Sequence, residues 1–180
     1  IVLDPAADSP CARLADRFIQ APLDDDAAIR RLASESDVVT WEIEHVGVST
    51  LEALEMEGVR IQPSPKVLRV IRDKLAQKQF LRNVGLPVPR FAPVANDDDF
   101  HAFGYPCVQK TRFGGYDGRG VLVLEGETDV HGALPGTSMV EEKVDIATEL
   151  AVVVARSADG STAVFPVVEM VFAGGANICS

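Results

Sequence analysis

The residues best suited to chemistry in this sequence are a lysine and the glycine-rich loop that follows it. Lys110 ends an apolar run that begins at Cys107, and a second apolar run covers 121–124. Between the two runs glycine stands at positions 114, 115, 118 and 120. Because glycine has no side chain to bury, this density favours close approach of backbone N–H groups to a ligand. Such groups beside a lysine are typical of a phosphate site, so the stretch predicts a nucleotide-binding hairpin.

The context of this loop separates it from three other glycine-rich phosphate sites. A P-loop requires G-x-x-x-x-G-K-[ST] before a helix, and no such string occurs. A Rossmann fingerprint lies between a strand and a helix, whereas this loop joins two predicted strands. A protein-kinase loop precedes its lysine and is accompanied by H-R-D and D-F-G, whereas Lys110 precedes its loop and neither motif is present. A plain flexible hairpin turn remains as the alternative, although such turns need only about two to five residues.

A second group of candidate residues follows the apolar run that starts at Met139. It comprises Glu141, Glu142, Lys143 and Val144, with Glu149 at the start of a returning run. Backbone groups of such a linker can read the edge of an adenine, and a carboxylate can accept hydrogen bonds from both ribose hydroxyls. The alternative is a solvated acidic turn.

A third group follows a predicted strand at 37–41. Glu42 and Glu44 come directly after that strand, and ligands of open α/β sheets lie at the carboxyl ends of strands. Acids exposed on the surface are the alternative interpretation. Trp41 is predicted to belong to the core.

The elements that position these residues change in type along the chain. Predicted strands at 1–3 and 37–41 alternate with helices at 9–15, after 24–26 and from a capping box at 49–52, which indicates an α/β fold with a parallel sheet. Two helices are predicted near 66–71 and 73–84. Short β-type runs then indicate an antiparallel α+β unit, and they lie at 107–110, 121–124, 138–141, 149–155 and 163–169. The predicted domains are 1–65 and 66–180, with a boundary near Gln62–Pro65.

Composition limits the partners and the compartment. The net charge of −10 argues against nucleic acid, because phosphate backbones attract basic surfaces. No apolar run approaches the roughly 18–20 residues of a membrane-spanning helix. Three cysteines without C-x-x-C spacing and three isolated histidines favour a reducing, cytoplasmic setting over disulfides or a zinc site. The acidity fits a salt-adapted protein and an ordinary acidic enzyme equally well.

The three groups of residues described above, together with the motif Asp73-Lys-Leu-Ala-Gln-Lys78, resemble one family. The combination of Thr40-Trp-Glu-Ile-Glu-His45 with Gly114-Gly-Tyr-Asp-Gly-Arg-Gly120 is the specific part of this resemblance. The family is 5-(carboxyamino)imidazole ribonucleotide synthase, an ATP-grasp ligase of purine biosynthesis. The resemblance covers nearly the whole chain and implies a Rossmann-like pre-ATP-grasp domain followed by an ATP-grasp domain. It also implies ATP, Mg²⁺, bicarbonate and 5-aminoimidazole ribonucleotide as ligands, a carboxyphosphate intermediate and a homodimer.

The resemblance also implies residue roles. Lys110 holds the α- and β-phosphates, Lys74 is a second phosphate-binding cation, and the glycine loop is a lid that excludes water. The lid residues are Gly115, Tyr116, Asp117, Gly118, Arg119, Gly120 and Val121. The segment Glu141–Val144 reads adenine and Glu149 binds ribose. Glu42 meets the ribonucleotide, as do Tyr116, Asp117 and Arg119, with Tyr116 and Arg119 as the catalytic candidates.

The sequence departs from the family pattern at its ends. The family's first strand and glycine-rich turn are missing, and the magnesium-binding acids are expected beyond Ser180, so we expect an inactive fragment without a metal site of its own. Phe172 stands where many relatives have a histidine. Another ATP-grasp carboxylase or formate-using ligase of nucleotide metabolism, and a non-catalytic ATP-binding module, remain as alternatives.

Overall fold

The computed structural model describes residues 1–115, 119–173 and 176–179. These residues divide into two compact units, Ile1–Glu142 and Lys143–Ser180. Every helix among them is too short or too polar to cross a lipid bilayer.

The first unit begins with two short parallel strands and two helices. Strand β1 (Val2–Asp4) pairs with β2 (Phe18–Gln20), and the helices are α1 (Asp26–Ser34) and α2 (Val48–Met56). A 3-10 helix at Pro10–Arg13 joins the two strands. Helix α1 begins where the Asp25 carboxylate accepts a hydrogen bond from Ala28 N. The apolar faces of these helices form one core, which includes Ile29, Val48, Leu51, Leu54, Ile61 and Leu68.

Two predictions for this part of the chain are wrong. The predicted strand at 37–41 is reduced to one parallel bridge between Val39 and Ile61. Both this segment and β1 line a cavity of about 590 Å³, and among the described residues β1 pairs only with β2. The predicted capping box at 49–52 does not form, because α2 already starts at Val48 with Gly47 as its N-cap.

Two predicted helices and their boundaries are confirmed in outline. Helix α3 covers Pro65–Arg72 and α4 covers Lys74–Asn83. The single residue between them, Asp73, caps α4 by accepting a hydrogen bond from Leu75 N. Gly85 ends this region with a φ of 81°, a conformation that glycine adopts without steric cost.

A four-stranded antiparallel sheet follows, in the order β3-β6-β4-β5. Its strands are β3 (Phe91–Val94), β4 (Cys107–Thr111), β5 (Val121–Leu124) and β6 (Ser138–Glu142). Helix α5 (Asp98–Phe103) and a 3-10 helix at Glu127–Gly132 connect them. The sequence analysis missed β3 and α5. Strand β3 contains Pro93, which lacks an N–H group and is tolerated because β3 is an edge strand.

The two faces of this sheet carry different residues. One face packs against α5 and forms a core that includes Phe100, Phe103, Cys107, Leu124, Val130 and Val140. Alternate positions of the same strands point to the other face, where Lys110 of β4 and Glu141 of β6 lie. The apolar core and the candidate functional residues therefore occupy opposite faces of one sheet.

The second unit contains only short antiparallel pairings among its described residues. Its strands are β7 (Leu150–Ala151), β8 (Val154–Arg156), β9 (Thr162–Val164), β10 (Val168–Ala173) and β11 (Ala176–Cys179). Strand β10 pairs with β7 and β11, and β8 pairs with β9. The predicted runs at 149–155 and 163–169 are each divided between two sheets. Pro166 interrupts the second run because it has no N–H group for a ladder.

Phe100→Ala tests the core beneath the sheet. The Phe100 side chain is almost fully buried, so we expect the free energy of unfolding to fall by about 3–5 kcal/mol. Phe80→Ala, at a half-exposed position of α4, is the matched control and is expected to cost much less. Urea unfolding measures both, and equal losses would contradict this assignment of the core.

Candidate functional site

Lys110 lies at the end of a β-hairpin, as the sequence predicts. It pairs with Val121 across β4 and β5, and Thr111 N donates a hydrogen bond to Gly120 O at 2.9 Å. This confirms the strand–loop–strand arrangement. Three predicted loop residues, Tyr116, Asp117 and Gly118, lie outside the described residues, and their roles stay predictions.

Two glycines close the base of this loop against Thr111. A Cβ on Gly120 would lie 2.2 Å from Thr111 Oγ1, and the residue has a φ of 75°. A Cβ on Gly115 would lie 2.6 Å from Arg119 O and 3.2 Å from Lys74 Nζ. At both positions other atoms of the chain leave no room for a side chain, so glycine is required there. The sequence analysis expected glycine to allow close approach of a ligand.

Lys74 connects helix α4 to this loop. Its Nζ donates a hydrogen bond to Gly115 O at 3.2 Å, and its backbone N donates to Arg112 O at 3.0 Å. The first residue of α4 is thus fixed to the loop by both its side chain and its backbone. This places the predicted second cation beside the loop, although its binding role stays a prediction.

An ion pair that the sequence analysis missed reinforces this connection. Arg112 Nε donates to Asp73 Oδ1 at 2.9 Å, and a second guanidinium nitrogen donates to Oδ2. The Arg112 hydrogen bonds lower the pKa of the Asp73 carboxyl from its ordinary value, and the pair raises the pKa of Arg112. Asp73 therefore both caps α4 and binds the residue that follows β4. The sequence signal for the capping role of Asp73 was its position directly before a helical pattern.

Glu141 is a buried carboxylate between two lysines. Its Oε1 forms an ion pair with Lys110 Nζ, and its Oε2 lies 2.9 Å from Lys78 Nζ. No donor among the described residues meets hydrogen-bond geometry at Oε2, so we regard the Lys78 contact as an ion pair. Burial by itself would raise the pKa of Glu141, but the two lysines hold that pKa below its ordinary value.

Lys78 is the second residue that sequence reasoning missed. It lies four residues after Lys74 on α4, and Arg82 follows after four more, so all three share one helix face. Lys74 contacts the loop, Lys78 contacts Glu141, and the Arg82 guanidinium lies 4.8 Å from the centroid of the Phe91 ring. This spacing of basic residues was the signal for a cationic helix face.

The predicted adenine segment crosses the division between the two units. Glu141 is buried in β6, whereas Glu142 is exposed and its N donates to Arg90 O at 2.8 Å. Lys143, Val144 and Glu149 belong to the second unit.

Lys143, Val144 and Glu149, the predicted site residues that lie in the second unit, are all exposed. Glu149 directly precedes β7, and its backbone O accepts a hydrogen bond from Met170 N at 2.9 Å. The adenine role of Lys143 and Val144 and the ribose role of Glu149 stay predictions.

Glu42 lies in the irregular segment after the Val39 bridge and is exposed. It lines the 590 Å³ cavity together with Trp41 and Leu3. Trp41 packs against the core and its Nε1 donates to Pro63 O at 3.2 Å, which confirms the core prediction for this side chain. The substrate role of Glu42 stays a prediction.

Within 1–115, 119–173 and 176–179, no three His, Cys, Asp or Glu side chains come together as a metal-binding group.

Models of two protein families match the chain over neighbouring segments. The ribonucleotide synthetase pre-ATP-grasp domain matches residues 1–72, and the ATP-grasp domain matches residues 79–179, more than half of the chain. The chain belongs to the ATP-grasp family. The predicted fold class, a pre-ATP-grasp domain followed by an ATP-grasp domain, is confirmed. The domain boundary at residue 65 stays a prediction.

Several relatives of this ATP-grasp chain carry the name of one enzyme. The chain is 40% identical to the N5-carboxyaminoimidazole ribonucleotide synthase of Synechococcus elongatus, over 93% of this chain and 45% of the relative. The Thermotoga maritima synthetase structure is 43% identical with a TM-score of 0.86, over 93% of this chain and 45% of that one. The Aspergillus clavatus synthase in complex with ADP and 5-aminoimidazole ribonucleotide is 28% identical with a TM-score of 0.84, over 98% and 48%. The family resemblance is confirmed, and the chain spans about half the length of the relatives it matches.

Asp73→Asn tests the link between α4 and β4. Because folding lowers the pKa of Asp73 below its ordinary 3.8, the charged form stabilises the fold above that pH. This stabilisation is lost as the pH falls through the folded-state pKa. We expect the variant to lose about 1–3 kcal/mol at pH 7 and the difference from wild type to shrink towards pH 3. Urea unfolding at both pH values measures it, with Asp37→Asn at an exposed position as the control.

Gly120→Ala tests the packing at the base of the loop. The new Cβ would overlap Thr111 Oγ1, and φ lies in the left-handed region, so we expect a loss of about 1–3 kcal/mol. Gly132→Ala is the control, because no described atom lies within 4 Å of its Cβ position. If thermal unfolding gives the same midpoint for both variants, the packing assignment is wrong.

Proposed function

We propose that this chain belongs to an ATP-dependent ligase that carboxylates 5-aminoimidazole ribonucleotide. Bicarbonate and ATP give carboxyphosphate, and the products are 5-(carboxyamino)imidazole ribonucleotide, ADP and phosphate. The observation that carries the proposal is the similarity to the synthases over nearly the whole chain. The Aspergillus clavatus relative, which was solved with ADP and 5-aminoimidazole ribonucleotide, supports both ligands.

The charges around the hairpin fit a polyphosphate. Lys110 and Lys78 share the single carboxylate of Glu141, so this group of three keeps one net positive charge. Lys74 adds a further cation at the loop. A nucleotide polyphosphate is a strong anion, and lysine binds phosphate as a compact point charge. This part of the chain therefore fits the phosphates of ATP.

In the proposed reaction these residues act by position and charge. Phosphoryl transfer to bicarbonate requires mainly alignment of the reactants and neutralisation of the developing negative charge. Lys110 would hold the α- and β-phosphates, and Lys74 would add positive charge next to the loop. Glu42 would accept hydrogen bonds from the ribonucleotide, and Arg119 would contact the same substrate. A bound magnesium ion would supply further neutralisation of the negative charge on the phosphates.

Lys110→Ala tests the ATP site. Removal of the cation at the end of β4 should weaken ATP binding at least about tenfold, since it deletes a charge-assisted contact. Lys66→Ala removes the same charge from an exposed position of α3 and should have little effect. Isothermal titration with ATP measures both variants. Equal effects would remove Lys110 from the site.

The reaction itself is tested with the full-length protein by phosphate release from ATP in bicarbonate buffer, with and without 5-aminoimidazole ribonucleotide. We expect release to rise with the ribonucleotide and a carboxylated product to form. ATP binding without stimulation would favour a non-catalytic nucleotide-binding module. Stimulation by a different acceptor would favour another ATP-grasp ligase of nucleotide metabolism.

A further inference from the structure

The proposed reaction assigns no role to Lys78, a partly buried lysine of α4. It extends from α4 to Glu141 on the sheet face that also carries Lys110. The exposed fraction is 21% for its side chain, 26% for that of Lys110 and 8% for that of Glu141. The carboxylate is thus the most deeply buried of the three groups, and both lysines reach it from more exposed positions.

The two lysines bind different oxygens of the carboxylate. Lys110 contacts Oε1 and Lys78 contacts Oε2. In the strand register Glu141 is opposite Val108, so Lys110 reaches it diagonally along the sheet, whereas Lys78 comes from a different element. Either lysine can therefore leave the carboxylate without displacing the other.

This arrangement matters when Lys110 binds phosphate. A lysine that turns to a nucleotide gives up its ion pair, and a buried carboxylate without a partner is strongly destabilising. With Lys78 still on Oε2, Glu141 stays neutralised while the Lys110 Nζ moves to the phosphates. Without Lys78, the nucleotide would have to compete with the Glu141 carboxylate for Lys110.

We propose that Lys78 is a positioning residue of the nucleotide site, which keeps Glu141 neutralised when Lys110 leaves it for the phosphates of ATP. The inference rests on the proposed role of Lys110. Lys78 itself does not contact the nucleotide in this arrangement, so its effect on ATP affinity depends on the presence of the Glu141 charge.

A double-mutant cycle tests this dependence. Lys78→Met should weaken ATP binding about tenfold, because Lys110 is then held by an otherwise unpaired carboxylate. Glu141→Gln gives the reference affinity for the cycle, because Lys110 is then not held by a carboxylate, whatever the change at residue 141 does to ATP binding by itself. The double variant should bind ATP within about threefold of Glu141→Gln alone. Lys78→Arg, which keeps the charge, should stay close to wild type, and Lys66→Met is the control for loss of a distant charge.

The outcomes separate three explanations. If Lys78→Met costs the same affinity with and without the Glu141 charge, Lys78 contacts the nucleotide or only supports the fold, and the inference is overturned. If the wild-type chain binds no ATP, the proposed function fails and this role of Lys78 fails with it. If the wild type binds ATP normally and the losses of ATP affinity in the two single variants add up in the double variant, only the role of Lys78 is overturned.

A second measurement needs no nucleotide. Acetylation of Lys110, followed by mass spectrometry at fixed pH, reports how firmly its ammonium group is held. We expect faster labelling in Glu141→Gln, because the Lys110 ammonium group then lacks the carboxylate that it contacts in the wild type. Lys78→Met should leave Lys110 protected. Equal labelling of Lys110 in wild type and Glu141→Gln would show that the carboxylate does not hold this lysine.

Discussion

The charge of Glu141 is the constraint on which the arrangement of the site depends. An ionised carboxylate inside a folded unit needs partners, and in this unit they come from two different elements, β4 and α4. The position of α4 on the sheet is therefore linked to the position of Lys110. A hydrophobic residue at position 141 would need no charged partner. The carboxylate is therefore explained by the two lysines that it holds in place, and not by a contribution to the stability of the fold.

The start of α4 is held to the end of β4 by several separate contacts. Asp73 caps the helix and binds Arg112, while Lys74 bonds to the backbone of Arg112 and to Gly115. Because these contacts involve the residues that directly follow Lys110, the glycine loop and the cationic helix face form one local framework. Such a framework limits the rearrangement that a bound phosphate would require.

The sequence was sufficient for features that depend on local patterns. The hairpin around Lys110, helices α3 and α4 and the core position of Trp41 follow from apolar periodicity and glycine punctuation. Strand β3 was missed because Pro93 argues against a strand unless its edge position is known. The strand at 37–41 was overpredicted, since an apolar run does not reveal whether a neighbour lies within hydrogen-bond distance. Lys78 and Arg112 were missed because their partners are distant in sequence and only the tertiary fold brings them together.

The order of strands in the sheet also has a consequence for assembly. Strands β4 and β5 are joined by one loop, whereas the partners of β6 are separated from it by long stretches of chain. Local pairings have the smaller loop-closure entropy, so they form more readily than non-local ones. We expect the local hairpin to place Lys110 first and the non-local strand β6 to bring its counter-ion later. The ion pair between them therefore requires that β6 has paired with β4.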